Sequence, residues 1–214
     1  MAQRILLLLG ILGVALAAAL SVALYLTDER VRETARRATA PAIGGPFALV
    51  DHRGRAVTEA DYRGKLMVVY FGYAFCPDVC PTGLYKIGQA LDALGEDAGQ
   101  VHPLFITLDP ARDTAEALAD YLGRFHPALI GLTGSPERVE AVAKAYRVYY
   151  AKAPPAHRHE DGGEGSHEHA DEADDYLVDH ATATYVMGRD GGLREVVSQG
   201  ASAEDLATAI RKHL

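Results

Sequence analysis

Leu66-Met67-Val68-Val69-Tyr70-Phe71 is the stretch that most restricts the fold. Consecutive apolar, β-prone residues without polar alternation fit a central strand covered on both faces. The run ends at Gly72-Tyr73-Ala74-Phe75, and Cys76-Pro77-Asp78-Val79-Cys80-Pro81 follows at once. From Thr82 to Leu94, Leu84, Ile87, Leu91 and Leu94 recur at helical spacing. A buried strand, a cysteine loop and a helix are therefore contiguous in the chain.

The rest of the soluble part alternates in the same way. Phe47-Ala48-Leu49-Val50 and Val57 flank a turn at Asp51-His52-Arg53-Gly54. Leu104-Phe105-Ile106-Thr107-Leu108 reads as a second buried strand, closed by Asp109-Pro110. Thr114 caps a helix running to about Phe125. Gly131-Leu132-Thr133-Gly134 is a brief strand or turn, and Ser135-Pro136 opens a helix that turns Val139, Val142, Ala143 and Tyr146 inward. Val148-Tyr149-Tyr150 is a further strand. Ala183–Met187 and Leu193–Val197 form a hairpin around Gly188–Gly192, and Ser202 caps a last helix. These elements predict an α/β domain with a mixed central sheet flanked by helices.

A chain of 214 residues, 49% hydrophobic and 23% charged, holds one domain of ordinary size with appendages, and is neither disordered nor collagen-like. The formal charge of −8 argues against nucleic acid as a partner. Residues 154–175 alone carry −7, with eight acids against Arg158, so the acidity belongs to one segment and not to the domain. Two cysteines are too few for a disulfide-stapled scaffold.

Ile5 to Leu26 is a run of 22 residues without charge. As a helix it is about 33 Å long, enough for a hydrocarbon core of about 30 Å. Leu20, Val22, Leu24 and Leu26 extend the run past the small residues Ala17-Ala18-Ala19, which favours an uncleaved membrane anchor at 1–26 over a cleaved signal sequence. Residues 27–43 read as a stalk and 44–214 as the domain. Arg30, Arg32, Arg36 and Arg37 outnumber Arg4, which by the positive-inside rule pulls the domain towards the cytoplasm, although long domains translocate despite such charge.

The cysteine pair carries the chemistry. A helix N-terminus offers N–H groups and partial positive charge, which lower a thiol's pKa and favour thiolate, both nucleophile and metal ligand. Three residues between Cys76 and Cys80 let both sulfurs approach one point. The pair then serves as a dithiol/disulfide couple or as two soft ligands for a metal such as Cu(I). Two inert core cysteines are the plain alternative, and Cys-Pro in a strand-to-helix loop argues against it. A structural zinc site would need four protein ligands, and a second cysteine pair is absent from the sequence.

Gly45-Pro46-Phe47, Gly64-Lys65, Tyr70-Phe71-Gly72-Tyr73, Cys76 through Thr82, Asp109-Pro110 with Arg112-Asp113-Thr114, Gly131–Gly134 and Tyr176-Leu177-Val178-Asp179-His180 occur in that order. Together they resemble the Sco/SenC family over about residues 44–214. The resemblance implies a thioredoxin-like fold on one membrane anchor, with the domain in the bacterial periplasm or mitochondrial intermembrane space. It also implies copper binding by Cys76, Cys80 and His180, and delivery to the CuA centre of cytochrome c oxidase, with that enzyme's subunit II or an upstream copper donor as partner. Two thiolates and an imidazole suit Cu(I) and also hold Cu(II). Read from the residues alone, His180 is one of nine histidines, at the entry to a strand, where a histidine is more often a core residue. Asp78 and Asp179 are candidate outer contacts or ordinary turn and strand-edge carboxylates. Apolar Phe75, beside Cys76, reads as a cover that keeps water from the sulfurs.

His157, His159, His167 and His169 form two His-x-His pairs inside the acidic segment. That composition fits either a collecting loop for divalent metal or a solubilising surface insertion. Four functions share the cysteine pair: a metallochaperone without turnover, a thiol–disulfide oxidoreductase using Cys76 and Cys80, a peroxidase, and a copper or redox sensor. The chaperone is favoured, and it requires His180 where thiol exchange does not.

Overall fold

The computed structural model describes Tyr25 and residues 43–153, 176–180 and 182–214. The chain divides into two compact units, Met1–Pro41 and Ala42–Leu214, and the elements below belong to the second. They are β1 (Ala48–Asp51), β2 (Ala56–Thr58), β3 (Leu66–Gly72), α1 (Val79–Leu94), β4 (Val101–Thr107), α2 (Ala115–Leu122), β5 (Ile130–Thr133), α3 (Pro136–Ala145), β6 (Tyr150–Ala153), β7 (Leu177–His180), β8 (Ala183–Met187), β9 (Leu193–Ser198) and α4 (Ala203–Arg211). The anchor, the stalk and the His-rich insert expected from the sequence fall almost entirely outside the described residues. Among those described, no helix is long and apolar enough to cross a membrane.

The apolar run becomes β3, buried at every position. It lies inside a seven-stranded sheet ordered β2-β1-β5-β4-β3-β8-β9. β3 pairs in parallel with β4, from Leu66 opposite Val101 to Gly72 opposite Thr107, and β4 in parallel with β5. β8 adds antiparallel to β3, and β1 antiparallel to β5, so the sheet is mixed as expected. β4 begins earlier than its apolar run, at Val101, and contains Pro103. Its pairing with β5 begins only at Leu104, so the proline lies where the strand has one ladder partner. Helix α1 packs on α4, α2 on β5 and α3 on β1.

Caps set the helix starts. Thr114 Oγ accepts the Ala117 N–H at 3.2 Å, and Ser202 Oγ accepts that of Asp205 at 3.1 Å while the Asp205 carboxylate returns a bond to Ser202. Other boundaries also differ from the sequence reading. Helix α1 begins at Val79 and not at Thr82, because Pro81 falls in the first turn, where its missing N–H has no helical partner to lose. Helix α2 ends at Leu122, before Gly123, and not near Phe125. β6 starts at Tyr150, because Arg147 adopts a left-handed φ of 57° and the Val148 N–H bonds the Ala143 carbonyl at 2.8 Å, closing the end of α3.

The largest departure is around His180. It ends β7, which pairs antiparallel with β6 in a separate two-stranded sheet, His180 opposite Tyr150 and Leu177 opposite Ala153. The described residues on either side of 154–175 are therefore neighbours, Ala153 opposite Leu177.

Candidate metal centre

The back of the site is the carboxyl end of β3. The Gly72 carbonyl accepts the Leu108 N–H at 2.8 Å. A Cβ at position 72 would stand 2.6 Å from Cys80 Sγ and 3.0 Å from the Phe105 ring, so only glycine lets the sulfur rest against the strand end. The loop then folds back, with the Cys76 N–H donating to the Tyr73 carbonyl at 3.2 Å. Cys80 enters the first turn of α1, fully buried, while Cys76 retains 6% exposure.

That first turn is braced from below. The Tyr70 hydroxyl donates to the Val79 carbonyl at 3.2 Å, and Gln199 Nε2 donates to the same carbonyl at 3.1 Å. Gln199 is itself held through its carbonyl by Lys86 Nζ at 2.6 Å. Gly83 makes room for the phenol, since a Cβ there would lie 2.5 Å from the Tyr70 hydroxyl.

The two thiols are hydrogen-bonded to each other, and no disulfide joins them. The Cys76 thiol bond and burial push the Cys80 pKa up, against a smaller opposing effect of the Tyr73 backbone N–H. This runs against the thiolate expected at a helix end: at Cys80 the bond from Cys76, with burial beside it, favours the protonated thiol.

Across a cleft of about 260 Å³ from Cys76 stands β7. Tyr73, Cys76, Pro77, Asp78 and Val79 line one side, and Leu177, Val178, Asp179 and Thr182 the other. The Tyr73 hydroxyl bonds both the Val178 backbone and the Cys76 side chain, tying the walls together. Cys76 and Cys80 are thus brought together, with Asp78 and Asp179 at the cleft. His180 ends the strand that forms the far wall, and its side chain lies outside what the structure describes. Among the described residues, no three of His, Cys, Asp and Glu gather at ligating distance. The insert histidines lie outside the described residues as well. Phe75 is not the expected cover: its ring is 58% exposed and lies against the Arg112 guanidinium, 4.8 Å from the centroid.

Asp113 lies beside the site, wholly buried. Its Oδ2 accepts the Ala74 N–H at 3.0 Å and the Thr107 hydroxyl at 2.6 Å, anchoring the start of the cysteine loop to β4. Burial raises its pKa. Gly72, Tyr73 and Asp113 were not legible as site residues. In the sequence they stand within the Tyr70–Tyr73 and Arg112–Thr114 motifs, which do not say what each side chain touches.

A family model described as SCO1/SenC matches residues 35–214. The chain belongs to the SCO1/SenC family. It is 40% identical over 198 residues to the mitochondrial SCO2 homolog of Bos taurus, covering 90% of this chain and 69% of that protein. The human mitochondrial SCO2 homolog is 39% identical over 214 residues, covering 98% and 74%. Bradyrhizobium japonicum ScoI, solved with copper bound, superposes with a TM-score of 0.69 at 39% identity, covering 81% of this chain and 100% of that one. Yeast Sco1, also solved with copper bound, gives 0.67 at 37%, covering 81% and 88%. The SCO1/SenC fold is the mixed, helix-flanked α/β sheet expected from the sequence, thioredoxin-like as the family resemblance implied.

Proposed function

We propose that this chain is a copper metallochaperone that binds copper through Cys76, Cys80 and His180 and delivers it to the CuA centre of cytochrome c oxidase. One observation carries the reading: two hydrogen-bonded thiols, one lining a cleft and one behind it, face the strand that ends in His180. The copper-bound relatives at 39% and 37% identity support it. Two sulfurs and one imidazole form a soft, three-coordinate set suited to Cu(I), with room for Cu(II).

Copper here is cargo. Uptake replaces the thiol protons, because coordination deprotonates a thiol whose proton burial otherwise retains. Cys80, fixed against Gly72, is the permanent ligand. Cys76 lines the cleft and is the first sulfur that a ligand on a partner can reach, so release proceeds by exchange at Cys76 and at the His180 side. The partner is the oxidase's subunit II, or an upstream donor when copper moves inward. The anchor at 1–26 would hold the domain at a membrane, in the periplasm or the intermembrane space.

The same geometry supports a second reading as a thiol–disulfide reductase. Cys76 attacks a partner disulfide to give a mixed disulfide. Cys80 then displaces the partner's thiol, leaving a Cys76–Cys80 disulfide and a reduced partner dithiol. A Cu(I) competition titration against a chromogenic chelator separates the two, using the reduced full chain without oxygen and with the four insert histidines substituted throughout. The chaperone reading expects one tight Cu(I) per chain, weakened at least about tenfold by His180→Ala and abolished by Cys80→Ser. Weak binding indifferent to His180, with thiol exchange intact, would favour the reductase.

A further inference from the structure

The far wall of the cleft is held by a cluster that copper coordination does not use. Asp109 and Arg112 lie between β4 and α2, and Tyr176 lies just before β7. Arg112 Nη2 donates to the Tyr176 carbonyl at 3.0 Å. The Tyr176 hydroxyl donates to Asp109 Oδ1 at 2.5 Å. Arg112 Nε closes the triangle on Asp109 Oδ2. The guanidinium sits 3.8 Å from the Tyr176 ring centroid, 4.8 Å from that of Phe75 and 5.9 Å from that of Tyr73. Lys152 Nζ, from β6, is 4.1 Å from the Tyr176 ring.

Tyr176 is thus gripped at its carbonyl, ring and hydroxyl. Arg112 and Asp109 lie more than 60 residues away in the chain, and two of the rings on Arg112 belong to the cysteine loop. The pair is also withdrawn from water, with side-chain exposures of 11% for Arg112 and 1% for Asp109. An ion pair at such burial needs good geometry and further hydrogen bonds to offset desolvation, and the Tyr176 contacts supply them. Arginine's planar fork serves the carboxylate and the carbonyl while its face stacks on rings, which a lysine cannot do.

We infer that Arg112, braced by Asp109, is a positioning residue for the copper site: it pins Tyr176 and so sets how closely β7, and His180 at its end, faces Cys76. This rests on the copper reading above. The clasp holds Tyr176 by hydrogen bonds and meets the cysteine loop through ring contacts alone, while Cys76 and Cys80 are placed chiefly by the β3 end and α1.

The test is a double-mutant cycle on the full chain, with the insert histidines substituted, read by Cu(I) competition. Arg112→Met keeps the stem and removes the fork. It is expected to weaken Cu(I) binding about tenfold, the scale on which outer contacts tune metal sites. In the His180→Ala background the same substitution is expected to change affinity less than about twofold, because the ligand it positions is gone. An equal loss in both backgrounds, or no loss in either, would overturn the assignment. If Arg112→Met does not fold, Tyr176→Phe, which deletes only the hydroxyl on Asp109, repeats the cycle with an expected loss of about threefold.

A second readout needs no metal. Alkylation of Cys76 in the metal-free chain is expected to run at least about threefold faster in Arg112→Met, with Cys80 still protected, because loosening β7 uncovers the cleft. An unchanged rate would count against the clasp. Failure of the parent chain to take up Cu(I) would sink the copper reading, and the clasp would then stand or fall on this rate.

Discussion

Behind the cleft, Gly72 and Cys80 are sealed, whereas the wall in front, Leu177 to Asp179, stands partly in solvent, with Leu177 39% exposed. The back is shaped by main-chain approach: a strand end without a Cβ, a helix turn held by Tyr70 and Gln199, and a buried carboxylate under the loop. The front is a four-residue strand in a two-stranded ribbon, tied across the cleft through Tyr73 and the Arg112 clasp. On the proposed copper reading, buried thiols opposite a partly exposed strand suit a site that both keeps and surrenders a soft metal. A cage closed on every side would bind and not release.

The sharpest way to break that contrast is to unseat the back. Asp113→Ala leaves the Ala74 N–H and the Thr107 hydroxyl buried without their acceptor, a loss of about 2–5 kcal/mol measurable by denaturant titration. Asp113→Asn keeps an acceptor oxygen and isolates the charge. Burial raises the Asp113 pKa in the folded state, so the ionised group opposes folding. Wild-type stability is therefore expected to fall, relative to Asp113→Asn, as pH rises from about 4 through the folded pKa, and to stay lower above it. Parallel curves for the two proteins across that window would contradict the assignment.

Next in size is Gly72→Ala, whose methyl meets Cys80 Sγ at 2.6 Å and the Phe105 ring at 3.0 Å. Overpacking of this kind costs about 1–3 kcal/mol, and Cu(I) affinity is expected to fall at least about tenfold with it. Unaltered copper binding would mean that Cys80 need not lie against the strand. Tyr73→Phe tests the link between the walls. It removes the hydroxyl that meets Val178 and Cys76, with an expected cost near 1 kcal/mol, and a drop in Cu(I) affinity of about threefold to tenfold. The smallest effect belongs to Phe75→Ser. That ring is 58% exposed, so Cu(I) affinity is expected to hold within about threefold, and a larger loss would restore Phe75 as a cover over the sulfurs.

The sheet was legible because its signals are local. The Leu66–Phe71 run, the Ser135-Pro136 start, the Ser202 cap and the hairpin at Gly188–Gly192 each act within a few residues, and the structure places all of them as read. The cysteine pair was legible from its place between strand and helix. The β6–β7 ribbon was not, because its strands are four residues each and separated by the acidic segment, so no local pattern says they pair. The thiol pKa was misjudged for a related reason. A helix terminus can be read from sequence, but the bond from Cys76 and the burial that raise the Cys80 pKa depend on how the loop folds onto Gly72 and the sheet. The clasp joins residues 64 apart, and only the fold brings them together.

Copper K-edge X-ray absorption on the Cu(I)-loaded full chain, with the insert histidines substituted, tests the two-walled site most directly. The expected result is two sulfur ligands and one imidazole nitrogen, with the nitrogen shell lost in His180→Ala and both sulfurs retained. A spectrum with sulfur ligands alone, unchanged by His180→Ala, would contradict it and leave β7 with no part in holding the metal.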